Sequence, residues 1–260
     1  MYKKAYGKIN IILKVSKKQN DETKHKIDTA IQICKKFYDK IKIKNSDKFE
    51  VSYINDYKQK LSFDDCSVNR VVNWFKKNFP NSNTNFKVKI LKKIPSNSGF
   101  GGESTDAAFV LNYLLTKNGI HGLDKNQLKD LAINVGSDIP FFLSNYQTAH
   151  VSGYGDEVKK IKNIRVFYKI YPIMVKCETQ KVYHALDKDK NYDSKYSAKS
   201  LIVDVLTENF NFVDYYNDLQ KYVFEIYPEI KKHFDNLNKF KKNKIIVNGS
   251  GSYLIIFNLY

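Results

Sequence analysis

A glycine-rich segment in the middle of the chain has the residue types that phosphate binding needs. Residues 99–105 read GFGGEST and stand between a strand-like alternation and a helical pattern of apolar residues. Glycines allow positive φ angles and a close approach of the backbone, so successive amide groups can point at one anion. At the start of a helix, those amides and the helix dipole attract phosphate. The segment therefore indicates a phosphate site, although a glycine-rich turn that only caps a helix would have the same composition.

The glycine spacing excludes two common nucleotide motifs. Residues 99–105 lack the Gly-Lys-Ser/Thr ending of a Walker A loop and the G-x-G-x-x-G spacing of a dinucleotide-binding turn. The sequence also lacks the H-R-D and D-F-G motifs of protein kinases. A phosphate site here therefore requires a different fold.

Three further segments place polar residues in apolar surroundings. Lys8 and Asn10 interrupt an apolar, β-branched run near the N-terminus. Asp138 follows a helical pattern and precedes an Ile-Pro turn, and residues 248–252 (NGSGS) join two apolar runs. Taken singly, each has a structural explanation: a lysine on the solvated face of a strand, an aspartate that caps a helix, and a tight hairpin turn.

Together and in this order, these segments resemble the signature motifs of the GHMP kinase superfamily, and most closely those of the 4-diphosphocytidyl-2-C-methyl-D-erythritol kinase family. The family's P-A-K-I-N-L-F-L strand is similar to residues 6–13 (YGKINIIL), and its phosphate loop P-x-x-x-G-L-G-G-G-S-S-D-A-A to residues 95–108 (PSNSGFGGESTDAA). G-A-D-V-P-F-F is similar to residues 136–142 (GSDIPFF), G-x-G-E/D to 153–157, and S-G-S-G-S to 248–252. The resemblance extends over nearly the whole chain.

The resemblance implies a fold and a division of the chain. The expected fold is α+β, the two-lobed GHMP kinase fold, with a ribosomal protein S5 domain 2-like N-terminal lobe, a C-terminal α/β lobe and the active site in the cleft. Residues 1–155 are expected to form the N-terminal ATP-binding lobe and residues 156–260 the C-terminal lobe. The order of predicted elements, strands first and mixed helices later, also suggests an α+β enzyme.

The resemblance implies a reaction as well. ATP and Mg²⁺ would be used to phosphorylate the 2-hydroxyl of 4-diphosphocytidyl-2-C-methyl-D-erythritol, a step of non-mevalonate isoprenoid precursor synthesis. The alternatives are a GHMP kinase for another small alcohol, and a degenerate GHMP-fold protein that binds without catalysis. The expected partners are ATP and a cytidine diphosphate-linked alcohol, with no membrane contact and a monomeric or homodimeric state.

The same resemblance assigns roles to individual residues. Asp138 would accept the proton of the attacking hydroxyl. Lys8 would sit beside Asp138, hold it ionised and neutralise charge that develops on the transferring group. Ser104 would lie near the magnesium ion. The residues expected to bind nucleotide are Pro95, Gly99, Phe100, Gly101, Gly102, Glu103, Ser104 and Thr105. Those expected to bind the substrate are Asn10, His25, Tyr183, Gly249 and Ser250.

Two positions depart from the family pattern. The family's D-G-Y-H segment, whose tyrosine stacks on the cytosine, is replaced by residues 20–25 (NDETKH), so that His25 is retained and Lys24 stands at the aromatic position. Glu103 occupies the third glycine of the phosphate loop. Its carboxylate would repel a nucleotide unless it points away or holds magnesium.

The spacing of apolar residues predicts the elements that position these segments. Strands are expected within 8–15, 38–54, 86–90, 146–152 and 165–177 and on both sides of 248–252. Helices are expected over 68–79, 104–117, 124–135 (with Asp124 as N-cap), 179–187, 198–208 and 213–237, the last broken near Pro228. Residues 27–37 fit either a helix or a strand.

Composition restricts the class of protein. A hydrophobic content of 42% with 17 Phe and 19 Tyr excludes global disorder. The net charge of +17 comes almost wholly from scattered lysines, since Arg70 and Arg165 are the only arginines, and this favours a solvated surface over a nucleic-acid face. Three distant cysteines without a C-x-x-C argue against disulfides and zinc and fit a cytoplasmic protein.

Overall fold

The computed structural model describes residues 1–18, 22–55, 57, 60–61, 66–161, 167–192, 216–239 and 243–258. Its strands are β1 (Lys3–Val15), β2 (Ile27–Asn45), β3 (Glu50–Ile54), β4 (Lys60–Leu61), β5 (Phe86–Leu91), β6 (Thr148–Gly153), β7 (Glu157–Lys160), β8 (Tyr168–Pro172), β9 (Tyr216–Asn217), β10 (Asn243–Val247) and β11 (Tyr253–Asn258). Its helices are α1 (Ser67–Asn78), α2 (Gly102–Lys117), α3 (Lys125–Asn134), α4 (Ile139–Leu143), α5 (Thr179–Lys188), α6 (Gln220–Ile226) and α7 (Pro228–Asn238).

The long strand β2 organises the larger sheet. It pairs antiparallel with β1 along most of its length, with β6 through its first half and with β5 through its second half. The strand order is β4-β3-β5-β2-β1-β9, and β6 continues from β2 to β7. Residues 27–37, whose spacing fits a helix or a strand, form the first half of β2. Pairing on both edges decides the question, because Ile31 lies opposite Asn10 of β1 and Ala149 of β6.

Helices α1 and α2 cover one face of this sheet. The apolar positions of α1 predicted from its spacing, Val68, Val71, Val72 and Phe75, are all fully buried. They join one core cluster with Leu111 and Leu114 of α2 and with Val88 of β5. Burial of each such side chain contributes about 1.5–3 kcal/mol, so this cluster is a main anchor of α2 on the sheet.

A second, antiparallel sheet carries the late glycine motif. Its order is β10-β11-β8, and Val247 pairs with Leu254 across the turn at 248–252. The strand-turn-strand predicted for this region is therefore confirmed. Helices α5, α6 and α7 pack on this sheet through a core cluster that includes Val182, Val223 and Ile230.

Most predicted helices are confirmed, and the deviations have local causes. Asp124 caps α3 with a complete capping box, as expected. The prediction of helix over 213–237 is wrong at Tyr216 and Asn217, which pair parallel with β1 instead. The break before Pro228 separates α6 from α7, because the residue before a proline avoids the helical region. The helix predicted over 198–208 lies outside the described residues.

In the described part of the chain, every helix is too short or too polar to cross a membrane. The division of the chain at residue 155 stays a prediction.

Candidate active site

A cleft of about 950 Å³ brings distant segments together. Its walls come from β1, the segment 92–104, the turn before α4, helix α5 and the β10–β11 turn. Most residues singled out from the sequence line it: Lys8, Asn10, His25, Pro95, Gly99, Gly101, Gly102, Glu103, Ser104, Asp138, Tyr183, Gly249 and Ser250. Lys24 and Asp187 line it as well.

Phe100 and Thr105 do not line the cleft, although both belong to the segment predicted to bind nucleotide. The Phe100 ring packs in the core against Phe37 and Tyr253, at centroid distances of 4.7 and 5.0 Å. Its carbonyl oxygen accepts a hydrogen bond of 2.8 Å from the Lys8 amide. The structure therefore assigns Phe100 to anchoring the loop on β1, because a large aromatic ring gains more from burial than from a polar cleft.

The glycine-rich loop touches the β10–β11 turn backbone to backbone. Gly99 has φ +75°, and a Cβ atom there would lie 2.0 Å from the carbonyl oxygen of Asn248. A Cβ atom on Gly251 would lie 2.4 Å from the carbonyl carbon of Ser98. Only glycine permits this contact, so the two glycine motifs determine each other's position.

The side chain of Asn248 ties three parts of the site together. Its Oδ1 accepts a hydrogen bond from the backbone amide of Asn10 at 3.3 Å, and its Nδ2 donates to the backbone carbonyl of Ser98 at 3.2 Å. Asn248 is fully buried, so both bonds are shielded from water. It thereby fixes β1, the glycine-rich loop and the β10–β11 turn relative to one another.

Lys8 and Asp138 form an ion pair on the floor of the cleft. Lys8 Nζ lies 3.6 Å from Asp138 Oδ2, and the lysine is buried rather than on a solvated face. Asp138 stands at the N-cap position of α4, yet its side chain makes no capping hydrogen bond. A Cβ atom on Gly101 would lie 3.2 Å from Asp138 Oδ2, so this carboxylate adjoins the glycine-rich loop. Lys8 is therefore not a lysine on the solvated face of a strand, and the Asp138 side chain does not cap the helix.

Asn10 holds the Lys8 ammonium in place. Lys8 Nζ donates to Asn10 Oδ1 at 2.6 Å, and Asn10 Nδ2 donates to Thr29 Oγ1 at 2.9 Å. Both groups of the amide therefore have a partner within the protein. The sequence predicts substrate binding by Asn10, and the structure shows in addition that it positions Lys8.

His25 and Tyr183 stand side by side in the cleft. Their ring centroids are 4.9 Å apart, and His25 Nε2 lies 2.6 Å from Asp187 Oδ1. Burial alone would raise the pKa of Asp187, but the hydrogen bonds from His25 and Lys18 outweigh it and hold that pKa below its ordinary value. Burial raises the pKa of Tyr183, and the negative charge of Asp138 adds to this shift. The two aromatic side chains thus form a half-buried wall within electrostatic reach of Asp138.

Lys24, which replaces the family's aromatic residue, points toward the end of α3. Its Nζ donates to the carbonyl oxygen of Ala132 at 3.0 Å. Burial lowers its pKa, the positive charge of Arg70 lowers it further, and Asp138 opposes both. The position therefore offers a cation near Asp138 rather than a flat surface for a base.

Glu103 points away from the glycine-rich loop. Its Oε2 accepts a hydrogen bond of 2.9 Å from Ser67 Oγ and lies 3.9 Å from an Arg70 nitrogen. The sequence allows either this arrangement or a magnesium-holding one, and the structure shows the former.

A buried cluster of one lysine and two aspartic acids supports the glycine-rich loop. Lys92 Nζ lies 2.5 Å from Asp39 and 2.8 Å from Asp106, and both carboxylates are fully buried. Asp39 Oδ1 also accepts hydrogen bonds from the amides of Lys93 and Ile94. The cluster joins β2, the segment before the loop and α2. Local sequence patterns do not indicate this cluster, although Asp106 stands within the motif at 95–108.

The pH dependence of stability is expected to report on Asp106. Burial raises the pKa of Asp106 to about 8; the positive charge of Lys92 lowers this pKa, and the negative charge of Asp39 raises it further. When the pKa of a carboxyl is higher in the folded than in the unfolded protein, its contribution to stability is complete below the unfolded pKa of about 4. That contribution is lost as the pH rises toward the folded pKa. The unfolding free energy of the wild type, relative to Asp106→Asn, should therefore fall by up to about 1.4 kcal/mol per pH unit up to about pH 8.

Urea unfolding of both proteins at about pH 5 and about pH 8 measures this difference. Asp235→Asn, which removes an exposed carboxylate of α7, is the control and should show no such trend. A difference between wild type and Asp106→Asn that is constant over this range would mean that the Asp106 pKa is the same in both states.

Comparison with known proteins agrees with this geometry. The sequence model of the GHMP kinases N terminal domain matches residues 67–146. A solved 4-(cytidine 5'-diphospho)-2C-methyl-D-erythritol kinase superposes with a TM-score of 0.73 and 22% identity, over 99% of this chain and 90% of that one. Streptococcus pneumoniae phosphomevalonate kinase superposes with a TM-score of 0.66 and 13% identity, over 100% and 92%. The predicted GHMP kinase fold is therefore confirmed.

Curated relatives are similar over nearly their whole length. The 4-diphosphocytidyl-2-C-methyl-D-erythritol kinase of Petrotoga mobilis is 29% identical, over 98% of this chain and 97% of its own. The enzyme of the same name from Ureaplasma parvum serovar 3 is 32% identical, over 98% of this chain and 95% of its own. With this identity over almost the full length of both proteins, the chain belongs to the 4-diphosphocytidyl-2-C-methyl-D-erythritol kinase family.

Proposed function

We propose that this protein is a kinase that transfers the γ-phosphoryl group of ATP to the 2-hydroxyl of 4-diphosphocytidyl-2-C-methyl-D-erythritol. The observation that carries the proposal is the Lys8–Asp138 pair, 3.6 Å apart between a glycine-rich loop and the His25–Tyr183 wall. Family membership supports the same reaction. A protein that only binds ligands has no need for such a pair at this place.

The glycine-rich loop and α2 would bind the nucleotide phosphates. Gly99 and Gly101 have positive φ angles, and α2 begins at Gly102 and runs for 16 residues. The amides at the start of a helix lack intrahelical partners and carry the positive end of the dipole. They can therefore donate hydrogen bonds to the phosphates and stabilise their negative charge without a lysine in the loop itself.

Asp138 and Lys8 would act on the reacting groups. The Asp138 carboxylate orients the substrate hydroxyl and accepts its proton as the oxygen attacks phosphorus. Lys8, held by Asn10, places a positive charge beside the transferring phosphoryl group, whose oxygens carry most of the charge in the transition state. Catalysis here consists mainly of positioning and charge stabilisation.

The residues present fit magnesium that enters with ATP. In the described part of the chain, no group of three or more His, Cys, Asp or Glu side chains could hold a metal ion. Magnesium commonly takes one or two protein oxygens and fills its other positions with phosphate and water. Ser104 at the cleft wall can supply one such oxygen. When bound, magnesium would neutralise phosphate charge.

The His25–Tyr183 wall would receive the cytosine. Tyr183 offers a face for stacking, and Asp187 fixes the orientation of the His25 ring through Nε2. In the neutral ring this leaves Nδ1 to accept a hydrogen bond from the exocyclic amine of the base. Lys24 cannot stack, but its ammonium can pair with the diphosphate of the substrate. Gly249 and Ser250 line the same cleft and complete the proposed substrate site.

Tyr183→Ala is expected to raise KM for the cytidine substrate about 5- to 160-fold, because base stacking on an aromatic ring contributes about 1–3 kcal/mol. KM for ATP should change less than twofold, since Tyr183 belongs to α5 and not to the loop that would bind the phosphates. Steady-state kinetics with each substrate varied separately measure the two constants. Tyr183→Phe retains the ring and should keep KM near that of the wild type. An equal rise of both constants in Tyr183→Ala would contradict the placement of cytosine on this wall.

A panel of acceptors tests the proposed reaction. ADP release from ATP and Mg²⁺ is measured with 4-diphosphocytidyl-2-C-methyl-D-erythritol, homoserine, phosphomevalonate or no acceptor. The proposal predicts release only with the cytidine compound. Release with another acceptor would show a GHMP kinase of different specificity, and ATP binding without any release would show a non-catalytic protein. The monomeric or homodimeric state and the cytoplasmic location stay predictions.

A further inference from the structure

Glu103 poses an electrostatic problem for the proposed nucleotide site. It stands in the first turn of α2 and lines the cleft at the loop that would bind the phosphates. Its side chain is 56% exposed, and its carboxylate brings a negative charge to the mouth of the site. Left unpaired, this charge would repel every phosphate of the nucleotide.

Two residues of the first turn of α1 hold this carboxylate. Ser67 Oγ donates to Glu103 Oε2 at 2.9 Å, and an Arg70 nitrogen donates to Ser67 Oγ at 2.8 Å. The same Arg70 nitrogen lies 3.9 Å from Glu103 Oε2. Ser67 and Arg70 are three residues apart, so both project from one face of α1. These three residues form the Glu103 clamp.

The N-terminus of α1 favours the same orientation. The first turn of α1 has no acidic residue of its own, and its N-cap is the weakly accepting thiol of Cys66. Glu103 reaches across from α2 and brings a negative charge to this positive helix end. Arginine suits the position better than lysine, because one planar group can donate to Ser67 and attract Glu103 together.

We propose that Ser67 and Arg70 are positioning residues for nucleotide binding. They turn the Glu103 carboxylate toward α1 and neutralise it, so that a phosphate loop with glutamate in place of glycine still accepts ATP. The inference rests on the proposed function, because it concerns the admission of a polyphosphate to that same loop.

Removal of Arg70 should weaken nucleotide binding through Glu103. Arg70→Met is expected to raise the Kd for ATP about 3- to 30-fold, from the repulsion between one carboxylate and phosphates several ångströms away. The increase should be smaller for ADP and smallest for AMP, because the repulsion scales with phosphate charge. Equilibrium titration of the full chain with the three nucleotides measures this series.

The double variant Arg70→Met/Glu103→Gln distinguishes the clamp from a direct contact. Glutamine carries no charge, so the clamp predicts that ATP affinity returns to within about threefold of the wild type. If Arg70 contacted the phosphates itself, the loss would persist in the double variant, and the clamp would be refuted. Equal losses for AMP and ATP in Arg70→Met would also refute it, since they would show a general distortion of the site.

A matched control separates the clamp from loss of surface charge. Lys77→Met removes an exposed cation from the last turn of the same helix, away from Glu103, and should leave the Kd for ATP unchanged. Thermal unfolding of each variant shows whether it is folded. If the wild type bound ATP and Arg70→Met bound it with the same Kd, the clamp would be refuted but the proposed function would not. Wild type that binds no ATP would overturn the proposed function and the clamp with it.

Discussion

Asp138→Asn is expected to lower kcat by about 10² or more, because a positioned general base typically contributes 10²–10⁴-fold. Asparagine fills nearly the same volume, so the loss comes from the carboxylate and not from packing. Affinity for ATP should change much less, since the proposed phosphate contacts are made by the amides of the loop and not by Asp138. Steady-state kinetics and nucleotide titration of the purified variant give both values.

Asp235→Asn is the matched control for this substitution. It makes the same change at an exposed i,i+4 ion pair of α7, where such a pair contributes about 0.3–0.5 kcal/mol. The control should keep wild-type kcat. Asp138→Asn with a kcat within about threefold of the wild type would show that Asp138 neither accepts the proton nor orients the hydroxyl.

Gly99→Ala is expected to destabilise the protein and to disable the loop. The added Cβ would lie 2.0 Å from the Asn248 carbonyl oxygen, at a φ of +75°. Positive φ costs a residue with a side chain about 1–2 kcal/mol, and the steric overlap adds about 1–3 kcal/mol or forces the loop and the β10–β11 turn apart. Because this contact aligns the loop with β1 through Asn248, ATP affinity should fall as well. Denaturant unfolding and nucleotide titration measure the two losses.

Gly119→Ala isolates the backbone part of this effect. Gly119 has φ +67°, and a Cβ atom there would have no neighbour within 4 Å. Its substitution should therefore lower the free energy of unfolding only by the strain of a positive φ, about 1–2 kcal/mol, and leave ATP affinity unchanged. If both substitutions destabilised the protein equally and left ATP binding intact, the contact between Gly99 and Asn248 would have no part in forming the site.

The sequence predicts the elements well where one periodicity dominates. The α1 pattern at Val68, Val71, Val72 and Phe75 fits only a helix, and all four residues are buried. The apolar positions of 27–37 fit two structures, and only the pairing of Ile31 with two neighbouring strands decides between them. Local spacing carries no information on such long-range pairing.

The candidate site divides in a similar way. The glycine-rich loop can be predicted as a phosphate site from the sequence because consecutive residues, the glycines and the start of the following helix, carry the signal. The pairing of Lys8 with Asp138 follows only from resemblance to a family, since 130 residues separate the two. Asp187 beside His25 and Arg70 beside Glu103 could not be predicted at all, because each contact depends on how separate helices pack.

Transfer of a labelled γ-phosphoryl group to the acceptor is the direct test of the proposed reaction. The protein is incubated with γ-labelled ATP, Mg²⁺ and 4-diphosphocytidyl-2-C-methyl-D-erythritol, and the recovered acceptor is analysed by mass spectrometry and ³¹P NMR. The proposed reaction gives an acceptor that carries the label as one new phosphomonoester on the 2-hydroxyl. An unchanged acceptor, recovered from a protein that binds both ATP and the cytidine compound, would contradict it.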